Sequence, residues 1–227
     1  YTSRKTKKRM VANSTMEKSQ PKIVKYIAHL LSYVFHPLFI PTYFFLYLMQ
    51  VLPFEFVGIT DWQLKMRLFS VAWLTAFFPA FAVFLLWRLK LSDSIFLRTQ
   101  KERIIPYVIT MFFYWWMYYL SRNFTDQPIA LKFFYLGIFV ASAIGMTVNN
   151  FMKVSLHAMG IAGLTTAIVL VSIFYPVSNA TWVPLAIMLT ALVISARLVV
   201  SDHSKKELIV GLFIGVFTQL AAYLWVI

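Results

Sequence analysis

Apolar runs of about 20 residues follow one another along the chain and are separated by short polar connectors. A run of that length can cross a hydrocarbon core roughly 30 Å thick as a helix. A single run could be a buried core helix, but a series of them predicts an all-α, polytopic transmembrane helical bundle. We expect about seven spans, with six as the alternative count. The predicted spans lie near residues 26–50, 68–88, 105–120, 131–148, 158–175, 182–200 and 207–227.

The first 25 residues differ from the rest of the chain. They are polar and basic, with eight Lys or Arg residues and one acidic residue, Glu17. We expect residues 1–25 to form a disordered tail, with a contact to lipid headgroups or a partner as the alternative. Residues 26–227 then form a single transmembrane domain.

Composition narrows the chemistry that the chain can perform. Hydrophobic residues make up 60% of the chain and charged residues 13%. The absence of cysteine excludes disulfides, cysteine zinc sites and iron–sulfur clusters. The sequence has no phosphate-binding loop or dinucleotide fingerprint, and we expect no nucleic-acid partner.

The distribution of basic residues predicts the orientation of the bundle. With seven spans, the N-terminal tail shares a membrane side with three connectors, and that side holds 17 of the 21 Lys and Arg residues. Basic residues concentrate in cytoplasmic loops. We therefore expect the tail and these three connectors on the cytoplasmic face, in a bacterial inner membrane.

The same three connectors carry most of the polar chemistry. They read FLRTQKERIIPY (residues 96–107), NNFMKVSLHAMG (149–160) and SARLVVSDHSKKELIVG (195–211). Together they contribute two histidines, several cations and, among their acidic residues, the carboxylate of Glu207 to one membrane face. Cations can hold a phosphate, one histidine can attack phosphorus, and a second can protonate the leaving oxygen.

The third connector has the most specific spacing. His203 and Glu207 are four residues apart, which predicts neighbouring positions on one face of a helix. A carboxylate there can fix the tautomer of the imidazole and stabilise its positive form. Arg197 lies six residues before His203 and can reach the same point across a short turn.

These residues resemble the signature of the type 2 phosphatidic acid phosphatase superfamily, the membrane lipid-phosphate phosphatases. Its three motifs are K-x6-R-P, P-S-G-H and S-R-x5-H-x3-D. Arg197, His203 and Glu207 match the spacing of the third motif, with glutamate in place of aspartate. The stretch VSLH (154–157) keeps the serine and histidine of the second motif, and KERIIP (101–106) keeps the charges and a proline of the first.

The resemblance implies a role for each matching residue. His203 is expected to be the nucleophile that forms a phosphohistidine, Glu207 to orient it, and His157 to act as the general acid. The residues expected to bind phosphate are Arg197, Lys101, Arg103, Ser155, Arg98 and Lys153.

The reaction implied by the resemblance is the hydrolysis of a lipid phosphate or prenyl diphosphate without a metal or other cofactor. The expected partners are this substrate and the surrounding membrane lipids, with a homo-oligomer or a membrane complex left open. Position in the sequence suggests that Phe151, Tyr107 and Phe112 line the path of the lipid tail.

Alternative interpretations stay open. The chain could be a catalytically silent subunit or lipid-binding module of the same fold, or a transporter of an anionic solute. His203 and Glu207 could form no more than an exposed helical pair.

Two further patterns concern the spans themselves. His29 and His36 are seven residues apart in the first span, a spacing that could place two haem ligands on one helical face. We interpret the stretch HPLFIP instead as the kink of this helix. The small residues of GIAGL (160–164) and GLFIG (211–215) predict close contacts between helices.

Overall fold

A computed structural model describes residues 21–92, 99–124, 126–175, 181–201 and 203–227. Within these ranges the chain is helical and contains no strand. Residues 1–20 of the predicted tail (1–25) and Arg98 lie outside the described residues, whereas residues 22–25 already belong to the first helix. The α-helices of the described ranges are α1 (Lys22–Val34), α2 (Ile40–Val51), α3 (Asp61–Ala72), α4 (Phe78–Arg88), α5 (Ile104–Asn123), α6 (Ile129–Asn149), α7 (Leu156–Phe174), α8 (Trp182–Val200) and α9 (Lys205–Val226).

Six helical segments in the described part of the chain are long and apolar enough to cross a membrane. They are Lys22–Val51, Asp61–Arg88, Ile129–Asn149, Leu156–Phe174, Trp182–Val200 and Lys205–Val226. The predicted all-α transmembrane bundle is therefore confirmed. By length and hydropathy the described residues contain six spans, the lower of the two expected counts. The predicted third span does form a helix, α5, but its tyrosines, tryptophans and final Ser-Arg-Asn make it less apolar than the six.

The first span is broken in its middle, as the prolines predict. Pro37 begins a short 3-10 segment, Pro37–Phe39, and Pro41 lies in the first turn of α2. Because proline lacks the N–H that an interior helical position donates, the chain changes its helical path here. The Nδ1 atom of His36 accepts a hydrogen bond from the N–H of Leu38 at 3.4 Å and caps the short segment.

The second span begins earlier than its hydrophobic run suggests. Thr60 and Gln63 form a capping box that starts α3 at Asp61 rather than near residue 68. The span continues through a π-helical segment, Trp73–Phe77, into α4. Pro79 follows in the first turn of α4, where its missing N–H costs little.

Aromatic packing and small residues hold the bundle together. The ring of Phe44 on α2 stacks on Phe134 of α6 with centroids 4.1 Å apart. On α9, a Cβ atom at Gly215 would lie 2.3 Å from the carbonyl oxygen of Met159, and one at Gly211 would lie 2.7 Å from that of Ser155. The predicted close helix contact of the glycine-containing segments is therefore confirmed between α7 and α9.

Candidate active site

The three polar connectors meet at one end of the bundle, which we call the site end: here α4, α6 and α8 finish and α5, α7 and α9 begin. Gln100 and Asn149 exchange hydrogen bonds through their side-chain amides and main-chain oxygens, at 2.7 and 2.9 Å. Arg103 donates to the carbonyl oxygen of Val154 at 3.1 Å. The main-chain N–H of Ser155 donates a hydrogen bond to the carbonyl oxygen of Glu207, with the nitrogen and oxygen 3.4 Å apart. These contacts tie the first connector to the second and the second to the third.

A cavity of about 570 Å³ is lined by residues of the site end and by residues from the interior of the bundle. Its volume lies in the range of roughly 300–1,000 Å³ that is typical of small-ligand sites. The polar side chains that line it at the site end include those of Arg103, Lys153, His157, Arg197 and His203. Deeper in the bundle the lining becomes mostly apolar, with residues such as Ile138, Met159 and Gly215. The cavity therefore combines a cationic end with a mostly apolar interior.

The turn between α8 and α9 presents His203 to this cavity. The hydroxyl of Ser201 donates to the carbonyl oxygen of Arg197 in the last turn of α8, and it accepts from the N–H of His203 at 3.4 Å. Ser204 then caps α9, with its hydroxyl accepting from the N–H of Glu207 at 3.3 Å. This chain of local hydrogen bonds fixes the position of His203 between the two helices.

Glu207 holds the imidazole of His203. Its Oε2 atom lies 3.1 Å from Nδ1 of His203 and also accepts from the N–H of Ser204 at 2.9 Å. The pairing was predicted from the spacing, but the predicted geometry was wrong because His203 precedes α9 rather than lying on its face. The capping box, not the helical repeat, brings the two side chains together.

The surroundings of His203 favour a neutral ring. Burial lowers its pKa below the ordinary value, the hydrogen bond to Glu207 opposes this, and the positive charges of Arg103 and Arg197 lower the pKa further. With its proton on Nδ1 and directed at the carboxylate, the neutral ring carries a lone pair on Nε2. An imidazole in this state is a nucleophile.

His157 is held from a different direction. Its Nε2 atom lies 3.0 Å from the carbonyl oxygen of Ser32 at the end of α1. A carbonyl can only accept, so Nε2 carries a proton and Nδ1 is the atom that can exchange one with a ligand. The ring of His36 lies edge-on against that of His157, with centroids 5.2 Å apart.

The cations are placed by three different elements. Arg197 lies in the last turn of α8, Arg103 immediately precedes α5, and Lys153 lies between α6 and α7. The charge of Arg197 interacts with the rings of His36, His157 and His203. The first residues of α7, Leu156 and His157, also line the cavity, so the N-terminus of that helix adds partial positive charge.

Not every residue expected to bind phosphate is brought to the cavity. Ser155 is completely buried, and its hydroxyl accepts from the N–H of Ala158 at 3.4 Å as the cap of α7. Lys101 is exposed and does not line the cavity. Arg98 lies outside the described residues. Of the three aromatic residues proposed for the tail path, Tyr107 lines the cavity, whereas Phe112 and Phe151 are exposed and do not.

Sequence reasoning missed several residues that line the cavity. Among them are His36, whose sequence context HPLFIP indicates a kink, and Gln219, a glutamine within the apolar run of α9. A polar side chain inside a membrane span is itself a signal of function, and this signal could have identified Gln219. The position of His36 depends on how the first span packs against α7, which spacing alone does not reveal.

Searches against protein-family models, curated proteins and solved structures find no match for this chain. The geometry of the site is therefore the basis for any functional conclusion.

Proposed function

We propose that this protein is an integral membrane phosphatase that hydrolyses a lipid phosphate or prenyl diphosphate through a phosphohistidine. One observation carries the proposal: His203, held by Glu207 at 3.1 Å, lines the same cavity as His157, Arg103 and Arg197. A nucleophile with its orienting carboxylate, a second histidine and two guanidinium groups are the groups that phosphoryl transfer without a metal requires. Their resemblance to the superfamily motifs points to the same reaction.

In the first step, Nε2 of His203 attacks the phosphorus atom of the bound phosphate. A P–N bond forms as the P–O bond to the lipid breaks. The leaving oxygen takes the Nδ1 proton of His157, which enters this step as an imidazolium beside the bound phosphate anion, with both ring nitrogens protonated. Glu207 stabilises the positive charge that develops on the ring of His203. Arg103 and Arg197 neutralise the charge on the phosphoryl oxygens.

In the second step, water attacks the phosphorus atom of the phosphohistidine. His157, now neutral at Nδ1, accepts a proton from this water, the P–N bond breaks, and inorganic phosphate leaves. Both histidines then return to their starting states. The cycle consumes one water molecule and needs no further reactant.

The shape of the cavity supports a lipid rather than a soluble phosphate ester. Its charged residues lie at the site end, and its apolar residues lie within the span region. An amphiphile in the bilayer can present its phosphate to the cations while its chain stays in an apolar environment. The excess of Lys and Arg on the side of these connectors supports a cytoplasmic site in a bacterial inner membrane.

The test is phosphate release by the purified protein from a panel of lipid phosphates in EDTA, together with acid and alkali treatment of protein labelled from ³²P-substrate. We expect release by the wild-type chain, none by His203→Asn, and a label that is stable in alkali and lost in acid. Arg67→Gln, at the opposite end of the bundle, is the control and should retain release. Absence of release from every lipid by a folded protein would favour the silent lipid-binding module.

A further inference from the structure

Gln219 is a polar residue in the apolar interior of the bundle. It lies in α9, is 1% exposed and lines the deep part of the cavity. A buried amide in a membrane span is unfavourable unless its donor and acceptor groups are both satisfied. The hydrogen bonds of this side chain therefore indicate what the cavity holds.

Only one end of the Gln219 amide has a partner. Nε2 donates to the carbonyl oxygen of Phe134 at 3.3 Å, which settles the orientation because a carbonyl can only accept. In the part of the chain that the structure describes, the buried Oε1 atom has no hydrogen-bond partner. Because Gln219 lines the cavity, rotation about the soft terminal torsion of its side chain can bring this acceptor to a donor that the protein does not supply.

The serine and threonine hydroxyls of the deep cavity, in contrast, have partners within the protein. The hydroxyl groups of Thr110, Ser142 and Thr218 each donate to a carbonyl oxygen of their own helix, at 2.7, 2.8 and 2.9 Å. The short side chains of serine and threonine can do this within a helix. The carbonyl oxygen of a glutamine side chain cannot, because main-chain N–H groups in the helix interior are already used.

The neighbouring helices make room for this amide. A Cβ atom at Gly137 of α6 would lie 2.5 Å from the amide carbon of Gln219, and one at Gly163 of α7 would lie 3.7 Å from its Cγ. Any larger residue at position 137 would require the amide of Gln219 to move. The long polar side chain is thus accommodated at a specific place in the wall of the cavity.

The depth of Gln219 fits the chain of an amphiphile. It follows Glu207 by 12 residues in the same helix, which is about 18 Å at about 1.5 Å per residue. That distance exceeds half of a hydrocarbon core roughly 30 Å thick. An extended chain, at about 1.2 Å per bond, reaches it within roughly 15 bonds of the headgroup.

We propose that the cavity binds a phosphorylated amphiphile whose chain carries a hydroxyl or amide N–H at the depth of Gln219, where it donates to Oε1. The assignment of the phosphate to the cationic end of the cavity rests on the proposed function. The hydroxyl of Tyr107, which is buried and also lacks a partner among the described residues, marks a second polar position nearer the site end. The substrate class is thus a functionalised lipid phosphate rather than a plain prenyl diphosphate.

Binding of synthetic alkyl phosphates tests this inference. Dissociation constants of n-alkyl phosphates and ω-hydroxyalkyl phosphates, with chains of ten to sixteen carbons, are measured by calorimetry on the full chain in detergent. At one matched length, we expect the hydroxyl compound to bind the wild-type protein about ten-fold more tightly than its parent. Gln219→Met, which keeps the length of the side chain, should abolish that preference, and Thr166→Val, outside the cavity, should retain it.

The outcomes separate this inference from the proposed function. Equal affinity for both series at every length in the wild-type protein, or a preference that survives in Gln219→Met, would overturn the inference, and the first comparison requires no variant. A preference for the hydroxyl compound without any phosphate release would support the inference and contradict the phosphatase. Phosphate release at the same rate and affinity from both series would support the phosphatase and contradict the inference.

Discussion

The two ends of the bundle use charge in opposite ways. At the far end, where α5 connects to α6, Arg67 and Asp126 form an ion pair whose side chains are 22% and 48% exposed. At the site end, His203 and Glu207 are 5% and 20% exposed, and Arg103, Lys153 and Arg197 line the same cavity. The far end pairs opposite charges in water, whereas the site end collects like charges around a cavity. The second arrangement is unfavourable by itself and favours an anion as ligand.

Loss of the proposed nucleophile should have the largest effect. We expect His203→Asn to reduce the rate of phosphate release by about 10³-fold or more, because no other described residue combines an imidazole with an orienting carboxylate. Initial rates on the best lipid substrate measure this. A variant that retains most of the wild-type rate would remove His203 from the chemistry.

The matched pair Arg197→Gln and Arg67→Gln tests the comparison of the two ends directly. Removal of a cation that faces the phosphate should lower kcat/KM by about 10²-fold or more, whereas removal of one at the far end should leave it within about two-fold. Both values come from the same steady-state assay. Equal effects of the two substitutions would mean that charge at the site end has no special role.

Glu207→Gln should have a smaller effect and a diagnostic pH dependence. Glutamine keeps the capping box, so we expect a rate loss of about 10- to 100-fold without unfolding. Glu207 raises the pKa of His203 and the two arginines lower it. The reaction needs the neutral ring, so the acidic limb of the pH–rate profile should move to lower pH in Glu207→Gln and to higher pH in Arg197→Gln. Shifts in the same direction would contradict this electrostatic account.

His36→Asn tests the histidine that the sequence did not reveal. The ring of His36 packs edge-on against His157, so its loss should misplace the general acid and lower kcat by about ten-fold. KM should change little, because the cations remain in place. A change in KM with kcat preserved would assign His36 to substrate binding instead.

The smallest effect is expected for the far-end ion pair itself. Arg67→Gln should lower the free energy of unfolding by less than about 1 kcal/mol, because the pair is exposed. The hydrogen bond from Arg67 lowers the pKa of Asp126, so this stabilisation is present above the ordinary pKa of an aspartate. It is lost as pH falls through the lowered pKa. Thermal unfolding of the two proteins at neutral and acidic pH should therefore differ only at neutral pH.

The spans could be predicted because each hydrophobic run is long enough to require one kind of structure. The start of α3 could not be read from hydropathy, since a capping box at Thr60 extends the helix beyond its apolar part. The contact of His203 with Glu207 could be predicted because the two residues are close in sequence. The prediction placed both on one face of a helix, whereas His203 lies in the turn before α9.

The remaining parts of the site depend on packing between distant segments. His36 and His157 are 121 residues apart, so no local pattern links them. Ser155 matched a motif position, yet its hydroxyl is used to cap α7. Motif spacing identifies which residue types are present, but tertiary packing decides which of them face a ligand.

The Oε2 atom of Glu207 accepts a hydrogen bond from the N–H of Ser204 at the start of α9 and also holds the ring of His203 through Nδ1. Terminal turns open locally far more often than the helix as a whole unfolds. Each such opening would release the imidazole while the bundle stays intact. Warming should therefore abolish the proposed phosphate release reversibly at a temperature below that at which the bundle unfolds. The difference between these two temperatures would report the stability of a single helical turn.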